Sequence, residues 1–379
     1  MSARTSNGPG ILTRIFGSQW FVSVLAVLIA FVIGAVLIAL SGASVLDAYY
    51  AMFRGSIIDP NAATFVRQIK PLTDSLFYSI PLIISGLGLA LGFRAGLFNI
   101  GGKGQIIVGA LAAVWVGFAV NLPPVVHTLV ALLVAIIAGG LYGGIAGVLK
   151  AKTGANEVIV TIMLNSIATL GLGYTLTQKA WQVPGSNQPV TPKVADSAAL
   201  ARLLSAPFKL HVGFIVALVA LAFFWWLIER STLGFQIRAV GANAAAARTA
   251  GISVERITAI TMVLSGAFLG LAGANEALGT IGYVSRDLAG SIGFDAITVA
   301  LLGRNKTWGT FGAGLLFGAF KAGGYTMQAK GVPIDMILIL QSVIVLLIAA
   351  PALVRWLFRL PDVRALAAQT RKGNADEHK

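Results

Sequence analysis

The sequence contains about ten apolar blocks that are each long enough to cross a lipid bilayer. A crossing helix needs about 17–25 mostly apolar residues, because the hydrocarbon layer is about 30 Å thick. Apolar residues make up 57% of the chain and charged residues only 11%. Lipid offers no hydrogen-bond partners to an exposed backbone, and no segment alternates like a barrel strand. The sequence therefore predicts an all-α, polytopic transmembrane helical bundle.

The bundle is predicted to have about ten spans, one of them short or re-entrant. The short one covers residues 288–303, which are rich in glycine and carry Asp295. We expect one membrane domain over 20–357, with cytoplasmic tails at 1–19 and 358–379. The predicted spans are 20–42, 72–93, 105–120, 125–148, 157–177, 212–228, 257–279, 288–303, 310–328 and 336–354.

Charge indicates the orientation of the bundle. With the N-terminus inside, most of the 28 basic residues fall on the inner side, which favours a cytoplasmic N-terminus and C-terminus. The formal charge of +14 is typical of loop ends that contact anionic lipid. We therefore expect the lipid bilayer, and no nucleic acid, as the partner of these basic residues.

The sequence shows no catalytic, cofactor-binding or metal-binding pattern. It has no cysteine, which excludes disulfides and thiolate metal sites. His127, His211 and His378 have no carboxylate at metal-ligand spacing. A phosphate-binding loop of the form GxxxxGK[ST] is also missing. We expect no enzyme activity and no bound cofactor, and any ATP would have to bind another chain.

Four polar residues fall within or at the end of predicted spans, where polar groups are costly. They are predicted to line a substrate path, and for the two asparagines interhelical hydrogen bonding is an open alternative. These residues are Asn165, Asn275, Glu276 and Asp295. Close packing through small residues is instead predicted for Gly139, Gly143 and Gly147, which share one helix face.

The inner loop over residues 229–256 is predicted to contain a short capped helix. Asn243 can cap an alanine run, and Gly251 can end it in the left-handed conformation. A helix of about two turns is not stable alone in water, so it needs a partner surface.

Four motifs, in order along the chain, resemble those of ABC-type permeases for nucleosides and simple sugars, within the ribose and branched-chain amino acid permease superfamily. Phe98-Asn-Ile-Gly-Gly-Lys-Gly-Gln105 is similar to the FNIGxxGQ signature, with Lys103 where the family commonly has Glu. The second motif begins at Asn156-Glu157 and the fourth at Gly293-Phe-Asp295. The signature residues are Phe98, Asn99, Gly101, Gly104, Gln105, Asn156 and Glu157.

The third motif resembles the loop by which such permeases meet their ATPase. The matching positions are Arg238, Gly241, Asn243, Arg248, Ala250, Gly251 and Glu255. The resemblance implies an importer subunit of the bacterial inner membrane. It also implies a cytoplasmic ABC ATPase that holds the ATP, a second permease subunit that is the same or related, and an extracytoplasmic substrate-binding lipoprotein.

The substrate and the class of transporter leave alternatives open. Abundant aromatic residues with intramembrane amides favour a nucleoside over a free sugar such as ribose. An ion-coupled secondary transporter is an alternative, because buried carboxylates serve such proteins. An intramembrane enzyme is a further alternative, although no paired acid and base is apparent.

Overall fold

The computed structural model describes residues 19–347, except 187, 330, 334–335, 337, 340–341 and 344–345. It divides into two compact units. One is Ala51–Thr326, and the other contains the described residues up to Tyr50 and from Met327 onward.

The elements of the described part are helical, and no β-strand occurs in it. A six-residue π-helix, Glu276–Ile281, continues directly from α10. The α-helices are α1 Gln19–Leu40, α2 Val45–Ser56, α3 Phe65–Arg94, α4 Gly102–Ala119, α5 Val126–Thr153, α6 Glu157–Thr175, α7 Gly213–Arg230, α8 Thr232–Ala242, α9 Ala244–Thr249, α10 Val254–Asn275, α11 Ile292–Leu302 and α12 Thr307–Gln328.

Six elements among the described residues are long and apolar enough to cross a membrane: α3, α4, α5, α6, α7 and α10 with its π-helix. The chain is thus a polytopic helical membrane protein with six clear candidate spans in the part that the structure describes, and the predicted total of about ten is not confirmed. Helix α11 has 11 residues, or about 16 Å of length, which agrees with a short segment. Much of the predicted span 336–354 lies outside the described residues. Helix α2 was not predicted.

Helix α10 is at the centre of Ala51–Thr326, where it packs against α3, α4 and α5. Its glycines meet those of α5 directly. A Cβ on Gly143 would lie 3.0 Å from the Gly266 Cα, and a Cβ on Gly270 would lie 2.9 Å from the Gly139 Cα. The prediction that the α5 glycines serve close helix packing is confirmed.

Candidate functional site

A polar cavity of about 450 Å³ lies inside the unit Ala51–Thr326. Its walls come from α3, the π-helix, α11, α12 and the segment before α7. Its lining mixes aromatic rings with hydrogen-bonding and charged side chains, a composition that suits a small organic ligand. The lining residues are Phe77, Tyr78, Pro81, Arg202, Lys209, Glu276, Gly279, Thr280, Ile292, Lys321 and Tyr325.

Charged groups of both signs face this cavity. Glu276 begins the π-helix and has the Thr280 side chain as a hydrogen-bond partner. Lys321 acts electrostatically on Glu276 and also on Asp295. Asp295 itself accepts a hydrogen bond from the Ser291 hydroxyl at 2.6 Å. The π-helix widens the turn that carries Glu276, and such turns are frequent at functional sites.

Aromatic rings form the other part of the cavity lining. The Tyr78 and Tyr325 rings lie 5.4 Å apart between centroids. The Phe77 ring packs edge-on against the His211 ring, with 5.4 Å between the ring centroids. Burial lowers the pKa of His211 to about 4, so its imidazole is neutral at pH 7. Its Nδ1 accepts the Gly213 N–H at 3.1 Å, and its buried Nε2 has no partner among the described residues.

Asn99 organises the first signature motif through buried hydrogen bonds. Its Nδ2 donates to the Ser265 hydroxyl at 2.9 Å and to Gln105 Oε1 at 3.0 Å. Its Oδ1 accepts the Gly101 N–H at 2.9 Å. The network joins the start of α4 to α10. Phe98 stays partly exposed and packs on the Phe93 ring.

The second signature motif begins α6. Asn156 caps the helix, with Oδ1 accepting the Val158 N–H at 3.0 Å. Glu157 forms a salt bridge of 3.0 Å with Lys150, at the end of α5. Both contacts fix the turn between the two helices.

The loop over residues 229–256 contains the predicted capped helix, α9. Asn243 Oδ1 accepts the Ala246 N–H at 3.0 Å, and Gly251 follows the helix with a φ of +81°. Arg248 and Glu255 form an exposed salt bridge of 2.5 Å. This prediction of a short helix begun by Asn243 and followed by a left-handed glycine is confirmed.

Helices α8 and α9 enclose a groove of about 550 Å³ with a largely apolar lining. Phe235 projects at its edge with 60% of its surface exposed. Gly241 lies on the opposite side, so close to the Arg94 and Ala95 backbone that a Cβ would collide there. Arg238 is partly buried, and Ala250 follows α9 and lines the groove.

The cavity and this groove lie at opposite ends of α10. Glu276 follows the last residue of the helix, whereas α9 ends shortly before its first residue, Val254. The 22 residues of α10 give a length of about 33 Å. One continuous helix therefore connects the two regions.

Comparison with known families identifies the chain. The sequence model of the family described as "Branched-chain amino acid transport system / permease component" matches residues 72–349, well over half of the sequence. The chain belongs to this permease family. No solved structure matches the permease significantly.

Three relatives are similar over most of the permease. It is 39% identical over 349 residues to the guanosine ABC transporter permease protein NupP of Bacillus subtilis, covering 89% of this chain and 95% of that protein. It is 35% identical to the glucose ABC transporter permease protein TsgB13 of Haloferax volcanii, covering 85% of each chain. It is 30% identical to the nucleoside ABC transporter permease protein NupB of Lactococcus lactis, covering 92% of this chain and 94% of that protein.

The structure separates the four residues predicted to line a substrate path in this permease. Glu276 lines the cavity, and Asp295 lies close enough to Lys321 to interact with it. Asn275 is buried and donates to the Gly213 carbonyl at 3.3 Å. Asn165 accepts the Gly104 N–H at 2.7 Å and donates to the Ile100 carbonyl at 2.8 Å. Both asparagines thus make the interhelical contacts that were the open alternative.

The sequence reasoning missed most of the cavity lining. Lys321 lies within the predicted span 310–328, and a charged side chain within a span is the same kind of signal that singled out Glu276. Tyr78 and Tyr325 give no such signal, because tyrosine is common in membrane helices. Arg202 and Lys209 lie in a loop, where basic residues are ordinary.

Proposed function

We propose that this permease moves nucleosides inward across the bacterial inner membrane as the membrane subunit of an ABC transporter. The observation that carries the proposal is the cavity that Tyr78 and Tyr325 line together with Glu276 and Lys321. Aromatic rings stack on a nucleobase, and charged groups bind its polar edge and the ribose hydroxyls. Relatives named for guanosine and for nucleosides support the same substrate class.

The permease acts with a separate subunit that hydrolyses ATP. We infer that this ATPase docks at the groove between α8 and α9, on the cytoplasmic side. The capped helix α9 offers a small-residue surface, and the groove's apolar lining suits a side chain of the partner. Movement of α9 is carried along α10 toward the cavity, so ATP-driven closure alters access to the substrate.

Two more partners complete the proposed importer. A second permease subunit, the same or related, forms the path together with this one. An extracytoplasmic substrate-binding lipoprotein delivers the nucleoside at the end of the cavity where the exposed Arg202 and Lys209 lie. In this arrangement both termini are cytoplasmic.

A sugar is the second candidate substrate, since the Haloferax volcanii relative is named for glucose. The deciding experiment is uptake of labelled guanosine and uridine in cells with and without the gene, in the presence of excess unlabelled ribose or glucose. We expect nucleoside uptake to disappear with the gene and to resist both sugars. Unchanged nucleoside uptake with lost sugar entry would contradict the proposal.

A further inference from the structure

Glu276 retains most of its hydrogen-bonding capacity in the polar cavity. The Thr280 side chain is its hydrogen-bond partner, and Lys321 acts on it electrostatically from α12. No salt bridge within the described ranges includes Glu276. An ionised carboxylate only accepts, at about four lone-pair positions, and a desolvated one requires donors. The open positions are therefore complementary to a ligand edge that carries N–H groups.

Nucleobases differ in the donors that such an edge presents. Guanine places N1–H and its 2-amino group side by side, next to the O6 acceptor, and hypoxanthine places N1–H next to O6. Adenine instead presents the N1 lone pair next to its 6-amino group. When the ribose holds the base in one orientation, a carboxylate that accepts at N1 and an ammonium group that donates at position 6 match the 6-oxopurines and oppose adenine, and the additional amino group of guanine gives the carboxylate a second donor.

We propose that Glu276 selects 6-oxopurine nucleosides by accepting hydrogen bonds from N1–H, and from the 2-amino group of guanine, while Lys321 donates to O6. This assignment rests on the proposed nucleoside function and names the residue that discriminates within it. The Tyr78 and Tyr325 rings supply the stacking surface for the base. Adenosine would turn the N1 lone pair toward the carboxylate. A site built around a polar group rejects a ligand that leaves it unpaired.

The test measures binding to the permease complex itself, because a substrate-binding protein would impose its own selectivity on uptake. Labelled guanosine is bound to the purified complex in lipid nanodiscs without the binding protein, and is displaced by inosine, adenosine or 2′-deoxyguanosine. We expect the unmodified complex to prefer guanosine and inosine over adenosine by about tenfold or more.

Two variants separate the carboxylate from the charge around Lys321. Glu276→Gln keeps the shape of the side chain but both donates and accepts, so we expect the preference over adenosine to fall below about threefold. Asp295→Asn is the matched control, because Asp295 interacts with Lys321 but does not line the cavity. We expect this control to keep the preference of the unmodified complex.

Several outcomes would overturn the assignment. One is an unchanged preference in Glu276→Gln with guanosine binding retained, and another is an equal loss in Asp295→Asn. Another is a change, in Glu276→Gln, in the ratio of the affinities for guanosine and 2′-deoxyguanosine while the preference for guanosine over adenosine is kept. That result would place the carboxylate against the ribose. If Glu276→Gln does not assemble, Glu276→Asp keeps the charge at a shorter reach. This variant should weaken the binding of guanosine more than the binding of adenosine, and an equal loss of affinity for both would contradict the proposal.

Failure of the nucleoside function itself has a different signature. The unmodified complex would then bind glucose or ribose, and no nucleoside would compete. Failure of the Glu276 assignment alone leaves nucleoside binding intact in the unmodified complex and changes only the response of the variants.

Discussion

At the scale of single residues, asparagine side chains hold the turns of this permease in place. Asn99 stabilises the loop before α4, and Asn156 and Asn243 cap α6 and α9. Asn165 bonds the same loop from the side of α6. An amide can donate and accept at once, which suits positions where one side chain must serve a backbone N–H and a second polar group.

Replacing Asn99 should destabilise the permease. Asn99→Ala leaves the buried Gln105 and Ser265 without their partner, which costs about 1–3 kcal/mol. We expect a lower melting temperature of the detergent-purified protein. Asn61→Ala is the control, because Asn61 is exposed and surface changes stay within about 0.5 kcal/mol. Equal melting temperatures of Asn99→Ala and the unmodified protein would show that the Asn99 network contributes nothing to stability.

At the scale of elements, glycine decides how closely α10 approaches its neighbours. Lipid gives no hydrophobic force between helices, so close packing of small residues holds them together. A Cβ on Gly266 would lie 3.0 Å from the Gly143 Cα and closer still to the Gly139 carbonyl oxygen. The α5–α10 pair therefore tolerates no added atom at this position.

A matched pair of glycine variants tests this packing. Gly266→Ala should lower stability, since inserted methyl groups in a packed core cost about 1–3 kcal/mol. In Gly312→Ala the added Cβ lies on the exposed side of α12, with no other atom within 4 Å. Alanine is also more favourable than glycine within a helix by about 1 kcal/mol. The melting temperature should therefore fall in Gly266→Ala and rise in Gly312→Ala. A neutral Gly266→Ala would mean that the helices separate easily.

The cap of α9 is the second test at this scale. Asn243→Ala removes the side-chain acceptor for the Ala246 N–H, which costs a helix about 0.5–2 kcal/mol. Six residues cannot keep a helix without such support. We expect uptake to fall while the amount of permease in the membrane stays normal. Asn243→Ser, which restores a cap, should recover uptake, and undiminished uptake in Asn243→Ala would argue against coupling through α9.

At the scale of the unit Ala51–Thr326, the cavity and the α8–α9 groove are separated by the length of α10. The proposed substrate and ATPase sites would therefore act on one continuous helix from its two ends. Because the sites do not overlap, blocking one should leave the binding of a partner at the other intact.

Filling the cavity should stop transport without disturbing assembly. Thr280 lines the cavity, and in Thr280→Trp the indole occupies much of the space needed by a substrate. We expect uptake to be lost while the ATPase subunit still co-purifies with the permease. Thr169→Trp, at an exposed position of α6, is the control and should transport normally. Continued uptake in Thr280→Trp would place the substrate path elsewhere.

Local signals predicted most of the helices well, and contacts between distant segments less so. The span predicted over 157–177 corresponds to Glu157–Thr175, and the Asn156 cap explains where it begins. By contrast, Asn165 and Glu276 were predicted to share one role, because both are polar at membrane depth. The structure turns Asn165 to the backbone of the neighbouring loop and Glu276 to the cavity.

The sequence by itself determined the membrane class, most of the long helices, the caps of α6 and α9 and the glycine face of α5, because each depends on the composition and spacing of neighbouring residues. Tertiary structure alone decided that Tyr78, Glu276 and Lys321 line one cavity. These residues belong to α3, the π-helix and α12, and no local pattern specifies which faces of separate helices meet. That choice depends on how closely the helices pack, and here the glycines of α5 and α10 contribute to it.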